Sequence, residues 1–503
     1  MGSKCVRKAS RFGFRRCLAT AVVLGFAGIA SATVIPNLFP FLDPTGLVSN
    51  FSTAGRIDES QKNPFFENLG TNGRNCGTCH IAGNGMGLSV ANIQERFILT
   101  RGHDPLFADF DGANCPNSPA RNDPAAHSLL LKSGLIRIPI ALNAAPQFQI
   151  TVARDPYGCA MVSDPNTGTT TISVYRRPLP TTNLRFLSTL MFDGRESATL
   201  PLNSEATFAA NLLADLKHQS ITATLTHAQA VNPPSDEQQT AIVNFELGLF
   251  SSQVFDGRAG LLSEHGAQGD PVHLSKENYY PGVNDSLGAD PSGASFNPVS
   301  MTLFDKWENL SGYPAHLAAA RKDILAGQAI FNSRAAMITS VRGLNDNAAL
   351  GKPAVIMGNC TTCHDTPNVG NHSLPLPLDI STGHDPAKES DALVSSGLAQ
   401  LDMPDLPVFE ITGCPDPFPQ PGTTPQTITI YTTDPGKGLL TGLCSDVNRI
   451  KGPILRGLAA RAPYFHNGAA RNLKELVNFY NQRFQMNLSE KEKGQLIDFL
   501  NSL

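Results

Sequence analysis

Apolar residues recur at helical spacing in two stretches that share one plan. Ser235 precedes Gln238 in capping-box position and Ala241, Ile242, Phe245 and Leu249 follow; Ser489, Glu492, Leu496, Ile497 and Leu500 repeat the arrangement. A further amphipathic run over 473–480 carries Leu476, Phe479 and Tyr480 on its apolar face. Apolar and polar residues alternate over 148–152, 170–175 and 427–431, which predicts short hairpin strands inserted among helices. Residues 253–320 show no period, are rich in Gly, Ser, Asn, Asp and Pro, carry the single tryptophan, Trp307, and read as a long connecting segment.

The N-terminus has a pattern of its own. Lys4, Arg7, Lys8, Arg11, Arg15 and Arg16 precede an apolar run over 18–30 and then Ala30-Ser31-Ala32, the order of a secretory signal cleaved near Ala32. The run is shorter than the ~20 residues a spanning helix needs. No later stretch qualifies either, so the mature chain is expected to have no membrane span and to be periplasmic.

At 503 residues more than one core is expected. The formal net charge of −4 gives no basis for a nucleic-acid partner. Of ten cysteines, Cys5 and Cys17 fall in the leader. Four others stand in Cys76-Gly77-Thr78-Cys79-His80 and Cys360-Thr361-Thr362-Cys363-His364, both of the form C-x-x-C-H. That is the attachment site of a c-type haem: two thiols bond the porphyrin and the adjacent histidine ligates iron. Two motifs imply two covalent haems. Export suits them, because an oxidising compartment also permits disulfides. Cys115, Cys159, Cys414 and Cys444 then remain, with three possible pairings. Cys115 with Cys159 and Cys414 with Cys444 are expected, each pair lying in one half of the chain; a zinc site would need closer ligand spacing.

The halves repeat one another. Asn75 to His80 matches Asn359 to His364, and Gly102-His103-Asp104-Pro105 recurs as Gly383-His384-Asp385-Pro386. Leu184-Arg185-Phe186-Leu187 parallels Leu455-Arg456-Gly457-Leu458, and Met191-Phe192-Asp193-Gly194 parallels Tyr464-Phe465-His466-Asn467-Gly468.

With Ala462-Pro463-Tyr464-Phe465-His466-Asn467-Gly468, the helix that follows it, and Phe192-Asp193-Gly194-Arg195 in place of a Trp-Asp-Gly-Arg motif, the chain resembles the bacterial di-haem cytochrome c peroxidase and MauG family over most of its mature length. The resemblance implies a mainly α-helical fold: two tandem cytochrome c-like domains, 33–252 and 321–503, with short β-hairpin insertions and the 253–320 connection. It implies His80 and His364 as proximal ligands, and a first haem that meets hydrogen peroxide while the second relays electrons from a small donor such as a cytochrome c or cupredoxin. An inter-haem calcium would also follow, held mostly by backbone and water oxygens that a sequence does not mark.

Departures from the family pattern are informative. Tyr480 stands where the peroxidases place an axial methionine and MauG a tyrosine; a core position on an amphipathic helix is the alternative, and Met486 the other ligand candidate. Gln219 matches the family's distal glutamine, but Thr226-His227-Ala228-Gln229 offers no glutamate, leaving His227 as proton shuttle or as a ligand closing the site. His103 is a second distal candidate, although its repetition as His384 favours a shared turn. Phe192 replaces a tryptophan and is much harder to oxidise. Asp193, Arg195, Arg185 and Arg456 are candidates for pairing with haem propionates, internal ion pairs being the alternative. Peroxide reduction is the expected activity. A MauG-like or oxygenase-type oxidase and a non-enzymatic di-haem electron carrier are the rivals, the last following if His227 or His103 permanently fills the first iron's sixth position.

Overall fold

The computed structural model describes residues 34–116, 121–197, 205–419, 424 and 426–503. The expected signal segment lies outside them. Helix accounts for 31% of the described residues and strand for 17%, and the strands form antiparallel sheets, so the mainly α reading is overturned.

The largest correction comes from a strand with no alternating pattern. Leu249–Asp256 pairs antiparallel with Gly46–Ser52, Val48 facing Gln253 and Phe51 facing Phe250. Its Ser251, Ser252 and Gln253 are buried polar residues. They are tolerated because partners satisfy them: Ser251 Oγ donates to Asn50 Oδ1 at 2.5 Å, and Asn183 Nδ2 donates to the Ser251 carbonyl at 3.0 Å. A strand buried on both faces shows no period of two, and Leu249, read as helical, opens this strand.

The alternating segments are strands; those over 170–175 and 427–431 form hairpins with the strand before them, whereas that over 148–152 does not. Thr170–Arg176 pairs with Ile136–Ala141 and Met161–Ser163. Gln149–Arg154 instead pairs with Val408–Pro415 of the second half, which also pairs with Thr427–Thr432. One sheet therefore stitches the two halves together.

Both capped helices form. Asp236–Leu247 is closed by Ser235 Oγ accepting from Gln238 N at 3.2 Å while Gln238 Oε1 accepts from Ser235 N at 2.9 Å, and Glu490–Asn501 has the same cap from Ser489 and Glu492. Glu490–Asn501 crosses Ala315–Ser333 so closely that a Cβ on Gly327 would lie 2.0 Å from the Gln495 carbonyl oxygen. Within 253–320, Trp307 is wholly buried, stacked on Phe304 at 4.6 Å, with Arg321 4.8 Å above its ring. The disulfides Cys115–Cys159 and Cys414–Cys444 are formed, as expected. No described helix is long and apolar enough to cross a membrane.

Candidate functional site

Each C-x-x-C-H motif opens on a tight turn with the same construction. Asn75 N donates to Thr78 Oγ1 at 3.1 Å and Asn359 N to Thr362 Oγ1 at 3.0 Å, capping the turns Cys76–Thr78 and Cys360–Thr362. The histidine that follows is anchored alike in both. His80 Nδ1 meets the Met86 carbonyl at 3.3 Å and His364 Nδ1 the Gly370 carbonyl at 2.5 Å, each six residues on. Phenylalanine rings, Phe65 and Phe331, stand 6.1 Å from them. A ring with Nδ1–H committed to a carbonyl keeps its Nε2 lone pair for another partner. Burial holds His80 neutral, pushing it down to about 4, and lowers His364 as well.

All four motif cysteines are free thiols, unlike the other four described. Burial pushes Cys360 and Cys363 up to about 12 and raises Cys76 and Cys79 too. Each pair, with its histidine, lines a large cavity.

The first cavity is walled by one face of the helix Glu205–Thr226. Leu216, Gln219, Ala223 and, just past its end, His227 follow at three- and four-residue steps and all line it. His227 Nδ1 lies 2.5 Å from Asp111 Oδ2, and Asp111 is paired on its other side with Arg74. Although burial alone would raise it, Arg74 and His227 hold the Asp111 carboxyl below its usual range. His227 and His80 line the same cavity.

Glu246 is a residue the sequence reading missed. It lies in the same cavity, 5% exposed, with Oε1 accepting from Thr181 Oγ1 at 2.5 Å and Oε2 unpartnered. Burial pushes it up to about 7. The signal was present: Glu246 follows Ile242 by four residues, a carboxylate on the buried stripe of Asp236–Leu247.

The second cavity adjoins the first. Phe192, Arg177, Lys451 and Arg461 line both, so Phe192 stands in the shared wall. Arg177 and Lys451 are buried, and none of the three cations makes an ion pair among the described residues. Burial brings Lys451 down to about 8 and Arg177 and Arg461 to about 10. Uncompensated buried positive charge of this kind calls for an anion.

Tyr480, on the helix Leu473–Arg483, lines the second cavity with Cys360, Cys363 and His364, as do Met486, His372 and His466. Burial and the two nearby thiols raise the Tyr480 phenol. Its ring stacks on Phe484 at 5.8 Å.

Of the remaining candidates, Arg195 lines the first cavity and the others line neither. The Arg185 guanidinium donates to the carbonyls of Ser275 and Glu277, and that of Arg456 to those of Asn368 and Gly269; neither lines either of the two cavities. Asp193 is spent on Arg176 and on Arg195, the latter at 2.8 Å, while Arg176 also binds Asp434. His103 is exposed on its turn and outside both cavities.

No family model matches the chain. A cytochrome-c peroxidase of Denitromonas iodatirespirans is 37% identical over 78 residues, which cover 14% of this chain and 21% of that protein's length. The likeness to that cytochrome-c peroxidase is confined to this stretch, and the chain spans about a fifth of that protein's length.

Proposed function

We propose that this protein is an exported peroxidase that reduces hydrogen peroxide in the first cavity with electrons handed on from the second, each cavity holding one covalent c-type haem. One observation carries the reading. Two adjoining cavities each present an unbonded C-x-x-C thiol pair and an imidazole whose Nδ1 is committed six residues on, the arrangement that thioether attachment and Nε2 ligation require. Charge supports it as well: Arg177, Arg461 and Lys451 offer positive charge to which haem propionates would be matched.

When bound, haem supplies an iron that exchanges electrons with peroxide. The chain does the rest. Cys76 and Cys79, and Cys360 and Cys363, would hold the two groups, with His80 and His364 as ligands. Tyr480 would take the remaining position in the second cavity, with Met486 beside it. In the first, Gln219 would orient peroxide and His227, steadied by Asp111, would move a proton between its oxygens. Glu246, protonated near neutrality, would hold a second proton in reserve. Electrons would cross the shared wall directly, since Phe192 is a poor site for a hole. The donor would be a small cytochrome c or cupredoxin.

That His227 and His80 line one cavity favours a second reading, an electron carrier in which His227 would fill the first iron's sixth position. Electron paramagnetic resonance of the purified protein, oxidised and half-reduced, separates the two. A high-spin ferric signal that peroxide alters, with steady peroxide consumption, is expected. Low-spin signals indifferent to peroxide in both states would leave only the carrier.

A further inference from the structure

Away from the proton-handling groups, Asp285, Asp365 and His372 meet in the interior, and one ligand atom from each lies within 4.8 Å of the others. Asp285 comes from the 253–320 segment and the other two from the second half. Both carboxylates are 0% exposed and His372 is 7% exposed. Among the described residues, no lysine or arginine pairs with either carboxylate. Two anions side by side in a dry interior repel, and each is costly there unless a cation answers it.

The hydrogen bonds leave the cluster incomplete. Asp285 Oδ2 accepts from Leu287 N at 3.1 Å and Ala289 N at 2.7 Å, whereas Oδ1 has no partner. Asp365 Oδ1 accepts from Ser373 N at 2.7 Å and Oδ2, more weakly, from Ser286 N at 3.3 Å. His372 Nδ1 accepts from Leu374 N at 3.2 Å and stands 3.5 Å from Asp365 Oδ2, too far for a good hydrogen bond; Nε2 has no partner.

We propose that Asp285, Asp365 and His372 bind a first-row divalent cation of the Zn²⁺ class. The 3.5 Å from His372 Nδ1 to Asp365 Oδ2 fits the edge between two ligands of one ion, since donors about 2.1 Å from a tetrahedral zinc lie roughly 3.4 Å apart; on binding, Nδ1 gives its lone pair to the ion in place of the 3.2 Å contact from Leu374 N. Two carboxylates cancel the ion's charge, and an imidazole in the set favours a borderline metal over Ca²⁺ or Mg²⁺, which take oxygen ligands. Water completes the set. The ion ties the 253–320 segment to the chain just after His364, and its presence does not depend on the peroxidase reading.

The full-length holoprotein, stripped with chelating resin, loaded with Zn²⁺ and dialysed, is expected to retain one zinc per chain by mass spectrometry, with haem counted separately by pyridine haemochrome. Asp285 lines neither cavity, and Asp285→Asn is expected to weaken zinc affinity by at least about 100-fold at unchanged haem content. Zinc-edge X-ray absorption of the unaltered protein, which needs no variant to fold, should show one imidazole and otherwise oxygen. No zinc retained, equal affinity in Asp285→Asn, or a spectrum with sulfur or several imidazoles would each overturn the site.

Discussion

His227 and Glu246 would bring protons to the first cavity by different means, one steadied by a hydrogen bond to Asp111 and the other kept neutral by burial. Replacing His227 with alanine should cut peroxide turnover by about 10²- to 10⁴-fold, the usual worth of a positioned acid or base, at unchanged haem content. Steady-state peroxide assays beside pyridine haemochrome check it; undiminished turnover would remove His227 from the chemistry. Glu246 makes a prediction about pH instead. With its carboxyl titrating at about 7, activity should fall through that region as the proton is lost, and Glu246→Gln should abolish that limb of the profile. An identical profile in the variant would make Glu246 a packing residue. At this scale the sequence was most legible where chemistry is local: the two C-x-x-C-H motifs occupy adjoining cavities. It was least legible for cations. Arg185 and Arg456 carry the same guanidinium as Arg177 and Arg461, and all four donate to backbone carbonyls; only the fold decides which of them also line the two cavities.

Elements differ in how much of their definition they carry in their own residues. The helices Asp236–Leu247 and Glu490–Asn501 announce themselves through caps closed by residues three apart. Ser235→Ala should cost about 1 kcal/mol, read as a lowered denaturation midpoint, because two end N–H groups lose their acceptors or their geometry. A midpoint equal to the parent's would mean water caps that end equally well. Leu249–Asp256 is the opposite case. Its identity as a strand depends on Asn50 and Asn183 supplying bonds to its serines from distant parts of the chain, so no local pattern marks it. Likewise 149–154 could be recognised as a strand from alternation, but its partner, some 250 residues away, could not.

For the whole molecule, pH is a probe of folding as well as of activity. His384, the second-half counterpart of His103, is half-buried between Asp379 at 3.1 Å and Glu389 at 2.6 Å. Burial alone would lower it, but the two carboxylates raise it to about 9. A histidine raised on folding stabilises fully below its ordinary value near 6.5, and that contribution is lost as pH climbs through about 9. Lys451, lowered to about 8, acts in the reverse sense above that pH, so wild type is best compared with His384→Asn. Denaturant midpoints should decline from about pH 6.5 to 9 more steeply in wild type than in the variant. Parallel curves would show that the ion pairs contribute nothing net.

The first cavity holds Cys76, Cys79 and His80 from early in the chain, yet Lys451, Pro453, Ile454 and Arg461 close it from near the other end. Such a chamber cannot exist on a nascent chain until its last segments arrive. Long-range closure of this kind is slow, because the intervening loop must lose its freedom before any contact compensates. The Cys76 and Cys79 thiols are therefore open until those late segments pack and covered once they do, so any group bonded to them would have to be bonded first.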